Sequence, residues 1–212
     1  MRSGLALLLL AALALVVGPA LADEEPDVDR VLVTCGSVIK LEADKTRHVL
    51  HSHEVSYGYG RGSGQQSVTG YPEMDQAGSL WIVRAEDCRQ GTGIKKGQEL
   101  RLQHVATRRW LHSHLFASPL SNNQEVSCFG DDGTSDTGDV WRVEWDSSEP
   151  YWLRDAVVRL VHKDTGAFLS NHNVKYQRPI PGHTEVFGFK QKGQHALWRA
   201  TEGVYFPERT KA

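Results

Sequence analysis

Two pairs of histidines are the residues of this sequence with the clearest potential for metal chemistry. His51 and His53 flank a serine, and His112 and His114 repeat the arrangement in a later segment. Side chains at i and i+2 of a β-strand project from one face, so each pair could direct two imidazoles at one metal ion. A third copy of the motif keeps only His172, and no pattern supplies a third ligand. This recurrence favours a structural role; contact with a ligand or peptide, and metal binding, are the alternatives.

Motifs for catalysis or cofactor binding are absent from the sequence. It contains no G-x-S-x-G elbow, no H-E-x-x-H motif and no glycine loop followed by a lysine and a helix. The glycine-rich residues 58–64 therefore indicate a strand connection. Asp131, Asp132, Asp136 and Asp139 fall in one polar segment without the spacing of a calcium loop, which predicts a solvated acidic loop. We expect a protein that is not an enzyme and that requires no cofactor or metal.

The elements that carry these histidines recur three times. Each unit of about 59 residues contains an apolar-basic-apolar triplet ending in leucine, a second leucine, a valine after two polar residues, and a tryptophan. The landmarks are Leu41, Leu50, Val68 and Trp81 in the first unit, Leu102, Leu111, Val126 and Trp141 in the second, and Leu160, Leu169, Val186 and Trp198 in the third. Between them, short alternating runs broken by turn residues are typical of β-hairpins.

This pattern predicts an all-β fold. The 20 glycines are unfavourable for helices, and about four strands per unit give roughly twelve, as in all-β barrels and sandwiches. Three similar units that cannot each bury their own apolar face are expected to form one domain. We expect a closed barrel with pseudo-threefold symmetry, lined by the repeated leucines and valines. An open solenoid is the alternative, although neither end of the chain resembles a cap.

The first 22 residues have the layout of a secretory signal peptide. Arg2 precedes an apolar run over residues 5–17, and an Ala-Leu-Ala cleavage site precedes Asp23. The run is shorter than the roughly 20 residues of a membrane span, and the later segments do not approach that length. The mature chain is therefore expected in the secretory lumen or outside the cell. The full sequence has 24 basic and 26 acidic residues and a net charge of −2, which argues against nucleic-acid binding.

The three cysteines fit a compartment that permits disulfides. Cys35 and Cys88 both lie in polar, turn-rich segments and form the favoured pair, with two unpaired thiols as the alternative. Cys128 lies in an alternating run that is typical of a strand, where a thiol behaves as a small buried hydrophobe.

Three segments carry specific motifs: residues 57–70, beginning Tyr-Gly-Tyr-Gly-Arg-Gly, residues 118–127, and residues 202–205. They resemble the stromal cell-derived factor 2 family over about residues 33–206, and residues 128–139 are most similar to its plant and green-lineage members. That family consists of three MIR repeats folded as a β-trefoil, a module shared with protein O-mannosyltransferases and intracellular calcium-release channels. The implied organisation is a signal peptide 1–22, an extension 23–32, a β-trefoil 33–206 with repeats at about 33–87, 92–147 and 153–206, and a tail 207–212.

The resemblance implies a non-enzymatic protein of the endoplasmic reticulum (ER) lumen. Such proteins act in folding quality control, with a luminal J-domain (Hsp40) co-chaperone and the ER Hsp70, on unfolded or aggregation-prone clients. Animal members end in an HDEL-like retention signal that residues 207–212 lack. Residence in the ER through partner binding is therefore expected, with secretion as the alternative. Because trefoils also host lectins, a glycan-binding module is the alternative function.

Recognition usually takes place on loops carried by a rigid scaffold. Residues 54–66 and 115–125, which follow the two histidine pairs, are therefore the predicted contact surface. No residue is predicted to be catalytic. The candidate partner or ligand residues are His51, His53, Arg61, Gln65, His112, His114, Phe116 and Asn123.

Overall fold

The computed structural model describes residues 30–58 and 62–209. The predicted signal peptide, most of the predicted extension, Arg61 and the last three residues lie outside this part of the chain. Among the described residues, no helix is long and apolar enough to cross a membrane. The strands and 3₁₀ turns are β1 (Val38–Ala43), β2 (Val49–Ser56), β3 (Gln66–Tyr71), η1 (Ala77–Ser79), β4 (Trp81–Arg84), β5 (Glu99–His104), β6 (Trp110–Ala117), β7 (Gln124–Phe129), η2 (Thr137–Asp139), β8 (Trp141–Glu144), β9 (Val157–His162), β10 (Phe168–Lys175), β11 (Thr184–Phe189), η3 (Gln194–Ala196) and β12 (Trp198–Val204).

Alternating residues give β8 and the first part of β5 one buried face. In β8, Trp141 and Val143 are buried, whereas Arg142 between them is exposed. In β5, Leu100 and Leu102 are buried on either side of a partly exposed arginine. A period of two places alternate side chains on opposite faces of a strand, so one face packs on a core while the other meets solvent. The prediction of an all-β chain is confirmed.

Six of the strands pair in a ring. β1 pairs with β4 and β12, β4 with β5, β5 with β8, β8 with β9, and β9 with β12, all antiparallel. The other strands form the hairpins β2–β3, β6–β7 and β10–β11. The second strands of these hairpins also pair with one another, β3 with β7, β7 with β11, and β11 with β3. Each repeat therefore contributes two strands to the ring and one hairpin outside it.

The landmark residues of the three repeats meet in one apolar core. All twelve leucines, valines and tryptophans named above are 0% exposed and belong to a single buried cluster. The indole N–H of each tryptophan donates to the carbonyl of the second leucine of its own repeat, at 2.9, 2.9 and 2.8 Å. A buried indole whose N–H has a partner keeps its full apolar stabilisation. The predicted core is confirmed.

The favoured disulfide is present. Cys35 and Cys88 are joined, with their Cα atoms 6.1 Å apart, which lies within the usual range. Backbone hydrogen bonds tie Cys35 to the same loop, because its N–H donates to Thr92 and its carbonyl accepts from Gly91. Cys128 is a buried free thiol, as predicted, and burial raises its pKa to about 12.

Candidate functional site

The first histidine of each pair packs against a 3₁₀ turn. His51 on β2 is bonded through Nδ1 to Ser79 Oγ, 3.0 Å away at the end of η1. His112 on β6 is bonded through Nδ1 to Asp139 Oδ1, 2.9 Å away at the end of η2. The turn η1 needs glycine at position 78, because a Cβ on Gly78 would lie 2.5 Å from the His51 ring. These are the contacts with adjacent turns that a structural role requires.

Asp139 departs from the prediction of a solvated acidic loop, which is wrong at this position. Its carboxylate is fully buried and accepts hydrogen bonds from the Ser135 hydroxyl and the Asp136 backbone N–H, both at 2.8 Å. Together with Asp136 it forms a capping box at η2. Asp139 is buried because the loop and His112 supply donors that replace water around the carboxylate.

The second histidine of the motif faces a buried glutamate in two of the repeats. His114 Nε2 lies 2.9 Å from Glu125 Oε1, and His172 Nε2 lies 3.1 Å from Glu185 Oε2. Both glutamates are fully buried, on β7 and β11. The corresponding residue on β3 is Ser67. The first repeat is therefore chemically different at this point.

The same two glutamates fix loops of the preceding repeats. Glu125 accepts hydrogen bonds from the hydroxyl of Ser63 and from its backbone N–H, the latter at 3.0 Å. Glu185 accepts from the backbone N–H groups of Leu120 and Ser121, at 2.8 and 3.2 Å. Burial by itself raises the pKa of Glu185, but the hydrogen bonds from its histidine partner and from this loop outweigh burial and lower it. Both loops belong to the contact surface that the sequence predicts.

The hairpins carry exposed apolar side chains near their ends. Val55, Phe116 and Val174 occupy equivalent positions on β2, β6 and β10, shortly after the second histidine position of each motif. Leu115 precedes Phe116, and Leu120 lines a cavity of about 210 Å³ together with Val55. Leu115 is 86% exposed and Phe116 is 56% exposed. We call these five residues the hairpin face. Leu115 lies next to Phe116, and Val55 lies with Leu120, and exposed apolar side chains that lie together typically mark an interaction surface.

Five of the candidate partner residues lie on two neighbouring grooves. Gln65, His112 and His114 line a groove of about 650 Å³. Phe116 and Asn123 line a second groove of about 350 Å³, and Leu115 borders both. Gln65 and Asn123 also support the fold, because they are bonded to the hydroxyls of nearby serines.

The remaining candidate residues lie elsewhere. His51 and His53 come together with His183, at ring-centroid distances of 5.4–5.5 Å, and Arg61 is outside the described residues. Sequence reasoning missed His183, the roles of the two buried glutamates, and Val174 of the hairpin face. The other four residues of the hairpin face lie within residues 54–66 and 115–125, the predicted contact surface. The recurrence of glutamate before the landmark valines of repeats two and three is the signal that could have identified the glutamates.

Known proteins similar to this chain identify its family. The family profile of the MIR domain matches residues 41–195. A stromal cell-derived factor 2-like protein of Arabidopsis thaliana is 51% identical over 180 residues, which cover 84% of this chain and 82% of that protein. The chain belongs to the stromal cell-derived factor 2 family. Stromal cell-derived factor 2 of Homo sapiens is 49% identical over 177 residues, which cover 82% of each protein. The resemblance stated from the sequence motifs is confirmed.

Solved structures resemble this family member as well. The crystal structure of the SDF2-like protein from Arabidopsis thaliana has a TM-score of 0.82 at 50% identity, covering 85% of this chain and 100% of that one. The Saccharomyces cerevisiae protein O-mannosyltransferase Pmt1–Pmt2 complex bound to the sugar donor has a TM-score of 0.75 at 31% identity, covering 89% of this chain and 28% of that one. A designed threefold-symmetric protein, ThreeFoil, has a TM-score of 0.51 at 18% identity, covering 80% and 99%, and supports the fold alone.

Several histidines of this stromal cell-derived factor 2 relative are held neutral. Burial, together with a smaller effect of neighbouring histidines, lowers the pKa of His51 to about 3 and that of His183 to about 4. Burial also lowers the pKa of His104 and His162, whose rings are each bonded to a threonine hydroxyl and a backbone carbonyl. These rings are therefore part of the packed structure in their uncharged form.

We expect this protein to lose stability as the pH falls below about 6.5, the pKa of histidine in an unfolded chain. From there down to the folded pKa of His51, about 3, the unfolded state binds more protons, so acid favours unfolding. His51 alone contributes a slope of up to about 1.4 kcal/mol per pH unit. Urea denaturation between about pH 7.5 and 4.5 measures the slope. His51→Gln should show a shallower dependence, and an equal slope would assign the effect to other groups.

Proposed function

We propose that this protein is a non-enzymatic subunit of a chaperone complex in the ER lumen. It binds a luminal J-domain (Hsp40) co-chaperone and, through it, the ER Hsp70, and it acts in folding quality control on unfolded or aggregation-prone clients. Membership of the stromal cell-derived factor 2 family supports this assignment. The hairpin face is the observation that carries it, because a protein-binding subunit needs an exposed apolar surface on a rigid support.

We infer that the support is a closed β-trefoil. The ring of six strands and the three hairpins that pair through β3, β7 and β11 are the arrangement expected of that fold. Three copies of one unit surround a common core, so equivalent residues of the hairpins face the same end of the molecule. This places Val55, Phe116 and Val174 around one rim. The buried Glu125 and Glu185 stiffen the same end by fixing its loops.

The absence of enzymatic activity is part of the proposal. The thiol of Cys128 is fully buried with a raised pKa, which disfavours a nucleophilic thiolate. Among the residues that line the groove of about 650 Å³, Ser113 donates its hydroxyl hydrogen bond to the backbone carbonyl of Glu125 rather than to a base. His112 and His114 are bonded to carboxylates that also hold loops. Each of these groups already has a structural partner.

Residence in the ER lumen is supported by the predicted signal peptide and by the disulfide, which requires an oxidising compartment. We propose that partner binding retains the protein. A fluorescently tagged full-length copy should co-localise with an ER marker. Its accumulation in the medium would support secretion, the alternative location, and would remove the co-chaperone partner from consideration.

The double substitution of Leu115→Ser with Phe116→Ser should reduce the recovery of the J-domain protein at least tenfold. The two side chains are the most exposed apolar pair of the hairpin face. Apolar contacts at the centre of an interface dominate its binding energy. The measurement is an affinity pull-down from ER lumen extract, read by mass spectrometry. Val204→Ser is the matched control, since Val204 is also apolar and 60% exposed but lies on β12, outside the hairpin face.

Circular dichroism should show that both variants remain folded, because neither change touches the buried core. Recovery of the J-domain protein with the double variant at the level of the Val204→Ser control would contradict the assignment of the hairpin face. Failure of the unmodified protein to recover any J-domain protein would contradict the proposed function itself.

Glycan binding is the second candidate function. The groove of about 650 Å³ combines the aromatic ring of Phe129 with the carboxylates of Asp136 and Asp164 and the ammonium of Lys190. An aromatic platform beside hydrogen-bonding groups is suited to a sugar ring. A glycan array with the purified protein tests this candidate, and recovery only of glycoproteins that free sugar releases would favour it over the co-chaperone role.

A further inference from the structure

Three histidines from two different repeats meet beside η1. His51 and His53 lie on β2, and His183 is the residue just before β11. The ring centroids are 5.5, 5.4 and 5.4 Å apart. One ring nitrogen from each histidine lies within 4.8 Å of the corresponding nitrogens of the other two. We call these residues the histidine cluster.

Comparison of the repeats shows why His53 is available to this cluster. In repeats two and three, the equivalent histidines face the buried glutamates. His114 is hydrogen-bonded to Glu125, and His172 Nε2 lies 3.1 Å from Glu185 Oε2. In repeat one the glutamate is replaced by Ser67, whose hydroxyl donates to the backbone carbonyl of Val55. Among the described residues, no carboxylate occupies the place beside His53. The ring of His53 instead packs against the other two histidines.

His183 is also special to its repeat. The residues that precede β3 and β7 at the same position are Gln65 and Asn123, which are amides. Because β11 pairs with β3, His183 of the third repeat lies over the first repeat, and its Nδ1 is 2.8 Å from the Thr69 hydroxyl. A histidine at this one position therefore completes a set of three imidazoles.

The surroundings of the cluster orient its rings. The Nδ1 atoms of His51 and His183 are bonded to the hydroxyls of Ser79 and Thr69, at 3.0 and 2.8 Å. Metal-binding histidines typically engage an oxygen through one ring nitrogen, which fixes the ring and leaves the other nitrogen for the ion. The Tyr71 ring covers one side, with its centroid 4.9 and 4.6 Å from those of His51 and His183.

The protonation state of the cluster also suits a ligand set. Burial lowers the pKa of His51, His53 and His183, so the imidazoles are neutral at pH 7. A histidine must be neutral to donate its lone pair to a metal. His53 and His183 are partly exposed, so solvent and an ion have access from one side.

We propose that His51, His53 and His183 form a binding site for one divalent transition-metal ion of the zinc class, with water as the fourth ligand. Imidazole ligands suit zinc, copper and nickel rather than calcium or magnesium, which prefer carboxylate oxygens. Zinc–nitrogen bonds of about 2.0–2.1 Å require the three nitrogens to approach more closely than 4.8 Å. Rotation of the partly exposed rings of His53 and His183 supplies this movement, and the weak contact of His53 Nδ1 with the Val55 N–H, at 3.2 Å, is released.

A second group, His112 with Asp136 and Asp139, has comparable spacing and serves as an internal comparison. Its carboxylates are already occupied, because Asp139 accepts three hydrogen bonds and Asp136 caps η2. The proposal therefore assigns the ion to the histidine cluster and not to this group.

Zinc titration by isothermal calorimetry tests the proposal on protein expressed from the full-length sequence through a secretory pathway and purified without a histidine tag. We expect one Zn²⁺ per chain, and Co²⁺ should give the visible absorption of a tetrahedral complex. His183→Gln should weaken zinc binding at least about 100-fold, since loss of a direct ligand exceeds the roughly 10–100-fold effect of outer-shell changes. His195→Gln is the control, because His195 is a surface histidine on η3 outside the cluster.

Melting temperatures measured without metal should be similar for the unmodified protein and both variants, which separates ligand loss from unfolding. His53→Gln provides a second ligand variant with the same expectation. Three results would overturn the proposal: no zinc binding by the unmodified protein, equal affinity in His183→Gln and His195→Gln, or loss of binding in Asp136→Asn with His183→Gln unaffected.

Discussion

Replacing Trp141 by alanine should lower the free energy of unfolding by about 3–5 kcal/mol, the usual range for truncating a buried tryptophan. The side chain is 0% exposed within the common core. Its loss leaves a cavity and also removes the indole N–H that donates to Leu111 at 2.9 Å, so a buried carbonyl loses its side-chain partner. The equivalent residues Trp81 and Trp198 should respond similarly, because their burial and hydrogen bonds are the same.

Trp110 is the matched control for this experiment. It is also a strand tryptophan whose N–H donates to a backbone carbonyl, but it is only partly buried, and its partner is Asp131 in an exposed loop. Trp110→Ala should therefore cost less than half as much as Trp141→Ala. Urea denaturation followed by circular dichroism measures both. Equal losses of unfolding free energy in the two variants would show that burial in the core does not set the contribution of Trp141.

The core could be predicted because its determinants are local and repeated. Leu111, Val126 and Trp141 have counterparts in the other repeats, and each tryptophan bonds within its own repeat. A pattern that recurs three times identifies inward-facing positions without knowledge of distant contacts. The alternation in strands such as β8 gave the same information about their buried faces.

Contacts between repeats could not be predicted in this way. Glu125 follows a polar residue in a strand and would be expected to face solvent, yet it is fully buried and bonds to Ser63, 62 residues earlier. Burial of this carboxylate depends on donors that a different repeat provides. The same reasoning applies to His183, because only the pairing of β11 with β3 brings it to His51.

The exposed apolar pair Leu115 and Phe116 illustrates a third limit. Strict alternation would place neighbours on opposite faces of a strand, with one of them buried. The pairing of β6 with β7 is irregular between Ser113 and Ala117, so this part of the strand leaves the regular sheet. Both side chains are consequently exposed. A break in register depends on the partner strand, and the sequence of β6 alone does not reveal it.

Removing the disulfide by Cys35→Ala with Cys88→Ala should destabilise the protein by about 4 kcal/mol. The bridge closes a loop between residues 53 positions apart, and the loss of loop entropy from the unfolded chain gives approximately this value, within the roughly 2–5 kcal/mol found when native disulfides are removed. The double variant avoids a free thiol that could form mixed disulfides. Urea unfolding under non-reducing conditions measures the difference.

Cys128→Ala provides the control for this prediction, because it removes a buried sulfur without opening a covalent loop. It should cost clearly less than the double variant. A reducing agent should lower the stability of the unmodified protein but leave that of the double variant unchanged. The disulfide also joins Cys35 to the loop that contains Gly91, whose carbonyl accepts a hydrogen bond from the backbone N–H of Arg209. In the double variant, both ends of the described chain should therefore become more susceptible to proteolysis. Equal stability of the double variant and the unmodified protein would mean that backbone hydrogen bonds alone hold this segment.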